Sequence, residues 1–320
     1  MNKKICVVGA GYWGKNHIRT LHELGLLGGI VESDKELLNN LSVKYPQVHI
    51  YQDIDEALQN DVLLGFTVAT PAETHHIIAE KIIKAGKHVL VEKPLCLNID
   101  DAEHLVELSN NYNVNLMVGH VLLFHPSIQK IKELIIEGKI GKLQYIYSNR
   151  LNLGQVRTEE NVFWSLAPHD ISIFQFFTDS NPMEVRAYGS TFLQKGIYDS
   201  TITRLKYTHG VEGHIFVSWL HPFKEHRLVV IGSEAMISFD DSSEQKPIKL
   251  YSKTIKMEKG IPEKIDGPVK EIEYEKKMPL TEELIYFSQH LDGSPLEIAN
   301  ANHALEVTKI LVEASRQLEN

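Results

Sequence analysis

The chain has 320 residues, 43% hydrophobic and 23% charged, which is enough for two domains with buried cores. Its net charge of −9 argues against a nucleic-acid-binding protein, because such proteins usually carry a basic face. No apolar run of about 18 residues and no signal-peptide pattern are found, so we expect a cytoplasmic protein that does not bind a membrane. The two cysteines are interpreted as reduced packing residues, and no histidine or cysteine cluster has zinc-ligand spacing, so no metal is expected.

The first 119 residues alternate apolar strands with amphipathic helices. Strands are predicted at 3–9, 29–31, 49–51, 62–69, 88–92 and 114–118, and helices at 17–24, 34–44, 53–59, 72–85 and 98–112. This alternation predicts an α/β domain over residues 1–119, with a parallel sheet covered by helices on both faces.

Beyond residue 119 the chain favours long strands in which polar and apolar residues alternate. The run Thr201–Tyr207 has this period of two, which is typical of an antiparallel sheet with one exposed face. We therefore expect residues 120–320 to form an α+β domain on a large open, mainly antiparallel sheet, with final helices that can pack back on the first domain. Strands are predicted at 143–153, 184–193, 201–208, 211–219, 226–232 and 235–240, helices at 127–137, 169–177, 281–291 and 300–318, and a poorly packed hairpin or loop at 244–277.

A glycine-rich turn lies between the first strand and the first helix, the context that a dinucleotide site requires. Its glycines permit a tight turn and let backbone N–H groups approach a pyrophosphate. Glu32 ends the second strand, where its carboxylate can accept hydrogen bonds from ribose hydroxyls and would repel a 2′-phosphate. NAD is therefore favoured over NADP. The cofactor contacts predicted in the turn are Gly9, Gly11, Tyr12, Trp13 and Gly14.

The segment Thr70-Pro71-Ala72-Glu73 follows the fourth predicted strand. Thr70 suits a helix N-cap, Pro71 the first helical position, and Glu73 would complete a capping box. Because the segment lies at the carboxyl end of a central strand, Thr70 and Pro71 can also contact the cofactor. His75 is placed on the helix surface but faces the same edge, so it joins the predicted cofactor contacts.

The segment Glu92-Lys93-Pro94 closes the 88–92 strand of the same sheet. Ligands of such sheets lie outside the carboxyl ends of the strands, so Lys93 should reach the nicotinamide position and hydrogen-bond a reacting hydroxyl. Glu92 and Lys93 are accordingly predicted cofactor contacts. The alternative is a surface lysine without a role.

A second candidate catalytic residue is His169. Pro168 predicts a helix start, which would put His169 and Asp170 at a helix N-terminus. A neutral histidine there can accept the proton of an alcohol whose carbon loses hydride. The alternative interpretation is a capping or packing histidine, and Asp170 is interpreted as a helix N-terminal residue.

These motifs, with Val230-Ile231-Gly232-Ser233-Glu234, resemble the glucose–fructose oxidoreductase/inositol dehydrogenase (Gfo/Idh/MocA) family over essentially the whole chain. The resemblance implies a Rossmann domain, use of NAD(P), sugar or cyclitol substrates, and an open sheet that often mediates oligomerisation, hence a homodimer or homotetramer. It assigns the catalytic lysine to Lys93 and the catalytic histidine to His169. Ser165 and Leu123 replace a usual aspartate and a usual arginine, and both changes argue against a simple inositol dehydrogenase.

The segments 119–126, 149–154 and 160–164 are similar to family members that act on UDP-N-acetylhexosamines, in particular the UDP-N-acetylglucosamine 3-dehydrogenases. This similarity implies oxidation of the C3 hydroxyl to a 3-keto sugar for a partner aminotransferase, as in lipopolysaccharide or lipid A biosynthesis. Arg150 and Arg157 can pair with a diphosphate in forked geometry; the alternative is that they are ordinary surface or sheet arginines. A dehydrogenase of a free sugar or cyclitol and a non-catalytic NAD-sensing regulator remain alternatives. The predicted substrate contacts are His120, His125, Arg150, Asn152, Arg157, Asn161 and His169.

Overall fold

The computed structural model describes residues 4–318, and the chain divides into two compact units. The first unit comprises the residues up to Phe124 together with Lys277–Lys309, and the second comprises His125–Lys276 together with the residues from Ile310 onward. This division falls slightly after the predicted boundary at residue 119. Within residues 4–318, no helix is both long and apolar enough to cross a membrane.

The first unit is built on a parallel sheet. Its strands are β1 (Lys4–Val8), β2 (Leu27–Val31), β3 (His49–Tyr51), β4 (Leu63–Val68), β5 (His88–Glu92) and β6 (Leu116–Gly119). Its helices are α1 (Gly14–Glu23), α2 (Lys35–Lys44), α3 (Ile54–Leu58), α4 (His75–Lys84) and α5 (Ile99–Asn111). The strand order is β3-β2-β1-β4-β5-β6, so the order reverses between β1 and β4, where ligands of such sheets bind. The predicted α/β fold is confirmed; residue 3 of the first predicted strand lies outside the described residues.

Strands at the centre of this sheet are buried on both faces, which explains their unbroken apolar sequences. In β1, Ile5–Val8 are buried, and in β5 the run Val89–Val91 is buried as well. Two later helices, α8 (Pro279–Gln289) and α9 (Ala301–Leu318), contribute to this unit, α9 as far as Lys309. The Phe287 ring of α8 lies against Gly65 of β4, where a Cβ atom would come within 3.1 Å of it.

The second unit contains an eight-stranded sheet. Its strands include β7 (Leu143–Leu151), β8 (Glu184–Ser190), β9 (Ser200–Lys206), β10 (Glu212–Ser218), β11 (Glu225–Gly232) and β12 (Met236–Asp240). The remaining strands of the unit are β13 (Ile248–Tyr251), β14 (Thr254–Glu258), β15 (Ile261–Ile265) and β16 (Val269–Ile272), and its helices are α6 (Pro126–Ile136) and α7 (Val162–Thr178). The order is β16-β13-β12-β11-β7-β10-β9-β8, and all neighbours are antiparallel except β7 and β10. The predicted mainly antiparallel sheet is confirmed.

Alternation of side chains separates the two faces of this sheet. In β9, Thr201, Thr203 and Leu205 are buried, whereas the residues between them are exposed. Helix α7 covers the buried face: the Phe174 ring packs so closely on β10 that a Cβ atom at Gly213 would come within 2.8 Å of it. The sheet therefore has one packed face and one wet face, as the period of two predicts.

The segment 244–277 was expected to be a poorly packed hairpin or loop, and this expectation is wrong in part. Strands β13 and β16 extend the eight-stranded sheet, and Ile248 is fully buried. Only β14 and β15 form a separate two-stranded hairpin. Several of the Lys and Glu residues that suggested a loop lie in β14, β15 and the edge strand β16, where charges discourage pairing with other chains.

The packing of Phe287 on β4 predicts a large loss of stability when the ring is removed. We expect Phe287→Ala to lower the free energy of unfolding by about 3–5 kcal/mol, because a buried aromatic side chain leaves a cavity. Met278, at the start of the same helix, is 69% exposed, and Met278→Ala serves as the control. Urea denaturation measures both; equal stability of the two variants would contradict the assignment of α8 to this core.

Candidate active site

Two glycines of the turn after β1 are required by the fold itself. Gly9 has φ +89°, and a Cβ atom there would come within 2.7 Å of Thr70 Cγ2. A Cβ atom at Gly14 would come within 1.9 Å of the Gly9 carbonyl oxygen. Since the second clash is with backbone, no rotamer relieves it. These two positions bring the turn, the start of α1 and the Thr70 segment together.

Gly11, the middle glycine of this turn, has different surroundings. Apart from Gly11 itself and its two chain neighbours, no atom of residues 4–318 lies within 4 Å of the position that a Gly11 Cβ atom would take, and the neighbouring Tyr12 is 90% exposed. Packing therefore does not require glycine here. An open approach to backbone N–H groups at a helix start is what a pyrophosphate needs, so the turn fits the predicted dinucleotide.

Glu32 lies beside this turn. Its Oε2 accepts a hydrogen bond from the Ala10 backbone N–H at 2.8 Å. Its Oε1 accepts from the backbone N–H groups of Ser33 and Asp34 at 2.8 and 3.0 Å. The carboxylate is thus fixed at the end of β2, at the position where the sequence predicts a contact with the ribose.

The predicted capping box at Thr70 is not formed. Pro71 has extended backbone (ψ 144°), a 3₁₀ turn spans Ala72–Thr74, and α4 begins only at His75. The Thr70 hydroxyl accepts a hydrogen bond from Thr74 Oγ1 at 2.7 Å instead of capping a backbone N–H. Its methyl group packs on Gly9, which makes Thr70 part of the wall of the glycine turn.

His75 was expected on the helix surface, and this is wrong. The residue is only 1% exposed. Its Nδ1 lies 2.8 Å from the Pro94 carbonyl oxygen and its Nε2 lies 3.0 Å from the Thr70 carbonyl oxygen. The ring therefore bridges the two turns that follow β4 and β5, and the protein uses both of its nitrogens.

Glu92, at the end of β5, connects the strand to the glycine turn. Its Oε1 accepts a hydrogen bond from Trp13 Nε1 and lies 2.8 Å from Nε2 of His17, a fully buried residue of α1. Lys93 follows directly. The two segments that the sequence singled out, the glycine turn and Glu92-Lys93, are therefore brought together in the first unit.

Further titratable side chains are buried near Glu92 and Lys93. Burial, followed by the proximity of Glu92, raises the pKa of Glu283 well above its ordinary value. Burial, followed by His303 and then Lys93, lowers the pKa of His120 well below its ordinary value. His120, a predicted substrate contact, is 2% exposed, so its ring is buried. The centroids of the His120 and His303 rings are 5.6 Å apart.

The predicted site residues do not include Glu283, His303 and His17, which lie buried near this edge. A signal was present for two of them: Glu283 lies next to the buried apolar residue Leu284, and His17 shares the buried face of α1 with Ile18. A charged or polar residue inside an apolar helical stripe indicates a buried polar contact. Nothing in the local pattern identified Glu92 as the partner.

In the second unit, the predicted helix start at Pro168 is wrong. Helix α7 begins at Val162, and the Asn161 side chain caps it by accepting hydrogen bonds from the N–H groups of Phe163 and Trp164 at 3.0 and 3.1 Å. The cap alone, worth about 1 kcal/mol, does not offset the roughly 3 kcal/mol that an interior proline costs, so burial of most α7 side chains is what stabilises the helix through Pro168. His169 consequently lies within the helix and not at its start. The side-chain oxygen of Asn161, a predicted substrate contact, is occupied by the two hydrogen bonds that cap the helix.

Asp170 is likewise not a helix N-terminal residue. It accepts two hydrogen bonds from Arg150, at 2.8 Å from Nε and 3.0 Å from Nη2, and both side chains are buried. Burial alone would lower the pKa of Arg150, but the Asp170 carboxylate outweighs it and raises that pKa. The forked pairing that the sequence suggested for a diphosphate is made with Asp170.

The other predicted substrate contacts have varied surroundings. His125 caps α6 by accepting a hydrogen bond from the Ser127 N–H at 3.2 Å, and burial lowers the pKa of its ring to about 4. Asn152 continues the β7 strand through its backbone bond to Ser218, and Arg157 is exposed with its Nε 3.8 Å from Glu160. The roles of these residues, and the meeting of Lys93 with His169 at one substrate, stay predictions.

Models of one protein family match both parts of the chain. The Gfo/Idh/MocA model described as an oxidoreductase family with an NAD-binding Rossmann fold matches residues 3–120. The GFO/IDH/MocA C-terminal domain matches residues 128–238. The two matches together cover most of the chain, and they confirm the resemblance and the NAD-binding domain.

Individual relatives have low sequence identity to this chain. UDP-N-acetylglucosamine 3-dehydrogenase of Acidithiobacillus ferrooxidans is 26% identical over 57% of this chain and 56% of its own length, so the match spans little more than half of either protein. Myo-inositol 2-dehydrogenase of Thermotoga maritima is 26% identical over 75% of this chain and 76% of its own length. The solved structure of the Acidithiobacillus enzyme has a TM-score of 0.86 at 20% identity, covering 99% of this chain and 97% of that one, which shows a shared fold.

The surroundings of the glycines predict opposite effects for two substitutions. Gly14→Ala should lower the free energy of unfolding by about 3 kcal/mol, because the added methyl group clashes with backbone. Gly11→Ala should change that free energy by less than about 0.5 kcal/mol but weaken NAD binding at least ~10-fold, because the methyl group occupies the open approach. Denaturation and calorimetric titration with NAD measure the two effects. Unchanged NAD affinity in Gly11→Ala would contradict the placement of the cofactor.

The buried Arg150–Asp170 pair predicts a strong effect of removing one charge. Asp170→Asn should lower the free energy of unfolding by about 3–5 kcal/mol, because it leaves the Arg150 guanidinium buried without its counter-charge. Glu212→Gln removes one partner of the exposed Arg204–Glu212 pair and is the matched control. Urea denaturation should show a much smaller change for the control, since solvent screens exposed pairs. Equal changes would contradict the assigned role of Asp170.

Proposed function

Because the chain belongs to the Gfo/Idh/MocA oxidoreductase family, we propose that it is an NAD-dependent dehydrogenase of a nucleotide sugar. The proposed reaction is oxidation of the C3 hydroxyl of a UDP-N-acetylhexosamine, with UDP-N-acetylglucosamine as the first candidate. The product is a 3-keto sugar. An aminotransferase that consumes this ketone is the proposed functional partner, and a homodimer or homotetramer is the proposed assembly.

One observation supports the redox assignment above the others, namely the contact of Glu92 with Trp13 and His17. Through this contact the turn that suits a pyrophosphate and the strand end that carries Lys93 belong to one edge of one sheet. A lysine at that edge is placed to act on a group held next to the nicotinamide. Neither a sensor nor a simple binding domain needs a lysine there.

Lys93 and His169 are the proposed catalytic residues. The ammonium group of Lys93 donates a hydrogen bond to the sugar hydroxyl and orients it. The His169 imidazole accepts the hydroxyl proton as general base. Bound NAD supplies the hydride acceptor. Holding the alcohol in a fixed orientation beside these groups contributes much of the rate, since positioning alone is worth several powers of ten.

The choice of a UDP-sugar rests on the similarity of segments 119–126, 149–154 and 160–164 and on the Acidithiobacillus relative. A free cyclitol is the second candidate, and the match to myo-inositol 2-dehydrogenase over three quarters of the chain favours it. Ser165 and Leu123, which replace the aspartate and the arginine of many family members, argue against the cyclitol. Arg157, exposed in the loop before α7, is the arginine we assign to the diphosphate.

The proposal predicts NADH formation with UDP-N-acetylhexosamines and not with free sugars. Purified protein is incubated with NAD and with UDP-N-acetylglucosamine, UDP-N-acetylgalactosamine, free N-acetylglucosamine and myo-inositol. An aminotransferase with glutamate is added to remove the ketone, because alcohol oxidation by NAD is usually uphill near neutral pH. We expect kcat/KM to fall at least ~100-fold when the UDP group is absent, because its binding energy is lost. Equal rates with myo-inositol would exclude the nucleotide-sugar reading.

The variant Lys93→Ala distinguishes an enzyme from an NAD sensor. Lys93→Ala should lower kcat/KM by about 100-fold or more, because it removes the donor that orients the hydroxyl. Lys15→Ala, in the exposed part of α1, is the control. Full activity of the Lys93 variant would remove the lysine from the mechanism.

A further inference from the structure

His75 is a buried polar residue at the start of α4, next to the turns that follow β4 and β5. It is the first residue of α4, yet its side chain is almost fully buried, and its ring nitrogens lie near backbone oxygens outside the helix. Both of its ring nitrogens are directed at backbone carbonyl oxygens of other segments, Pro94 O at 2.8 Å and Thr70 O at 3.0 Å. A buried polar ring with two such contacts joins those segments.

The two segments are the turns that carry the candidate site. The first turn holds Thr70, whose methyl group packs on Gly9 and so borders the dinucleotide turn. The second turn begins with Lys93 and reaches Pro94 one residue later. They follow β4 and β5, which are hydrogen-bonded neighbours with Val68 opposite Val91. Beyond the last pair of the ladder, the His75 ring connects them.

We propose that His75 is a positioning residue that holds the Lys93 turn and the Thr70 turn at a fixed separation, and so sets the place of the lysine relative to the bound dinucleotide. This inference rests on the proposed dehydrogenase function. His75 acts through the backbone of the two turns, by way of the Pro94 and Thr70 carbonyl oxygens.

The chemistry of the ring allows the two contacts to be separated. Both partners are carbonyl oxygens, so each bond needs an N–H on the nitrogen that makes it, and the ring makes both bonds together only when both nitrogens carry a proton. The side-chain amide of asparagine can place an N–H near the Nδ1 position, and that of glutamine can place one near the Nε2 position. His75→Asn should therefore keep the bond to Pro94 O, and His75→Gln should keep the bond to Thr70 O.

The two variants should fail in different ways. In His75→Asn the Thr70 turn is released, so the Kd for NAD should rise about tenfold while kcat at saturating NAD stays within about twofold of the wild type. In His75→Gln the Lys93 turn is released, so kcat should fall about tenfold while the Kd for NAD stays within about twofold. A role limited to stability would lower the melting temperature of both variants without this split.

His76 provides the matched control. It is the next residue of α4, and its Nε2 lies 2.9 Å from His104 Nδ1 at the helix surface. His76→Asn and His76→Gln should leave both the Kd for NAD and kcat unchanged. All five proteins are compared by calorimetric titration with NAD and by NADH formation with UDP-N-acetylglucosamine.

The results decide the proposal in each case. Opposite effects in the two His75 variants support it, and parallel effects, or effects shared by the His76 variants, overturn it. If the wild type oxidises no sugar, the proposed function fails, and NAD binding then decides the positioning role alone. Weaker NAD binding in His75→Asn than in His75→Gln would still support the role, and equal affinity would reject it.

Discussion

The carboxylate of Glu92 is the contact on which the candidate site depends. It stands at the end of β5, next to Lys93, and it reaches across the sheet edge to Trp13 in the glycine turn and His17 in α1. Loops at strand ends are usually the mobile part of such a sheet. Here a buried charge with fixed partners ties the turn that suits the cofactor to the strand that carries the lysine.

Polar side chains, more than apolar packing, position the loops around this edge. Glu32 binds the glycine turn, His75 joins the Thr70 and Pro94 turns, and Glu92 joins β5 to α1. His75 and Glu92 are buried and would be costly to bury without their partners, so each has a narrow range of geometries that it can accept. The apolar strands supply stability, and the polar contacts supply the shape of the site. The same division appears in the second unit, where the buried Arg150–Asp170 pair fixes α7 to β7.

The fold was largely predictable from sequence because apolar runs and glycine turns act locally. The strands of the first unit, the turn at Gly9 and the place of Glu32 all follow from short segments. What failed depends on competition between distant signals. Pro168 suggested a helix start, but the Asn161 cap seven residues earlier begins the helix, so His169 lies in its interior. The pairing of Glu92 with His17 joins residues 75 positions apart, and no local pattern contains that information.

The central claim is that the glycine turn and Lys93 belong to one cofactor site. A crystal structure of the protein with NAD and UDP-N-acetylglucosamine tests it most directly. We expect the pyrophosphate over Gly11, the ribose hydroxyls on Glu32, and the C3 hydroxyl of the sugar within hydrogen-bonding distance of both the Lys93 ammonium and the His169 imidazole. A nicotinamide ring bound away from the end of β5, with Lys93 facing solvent, would contradict it.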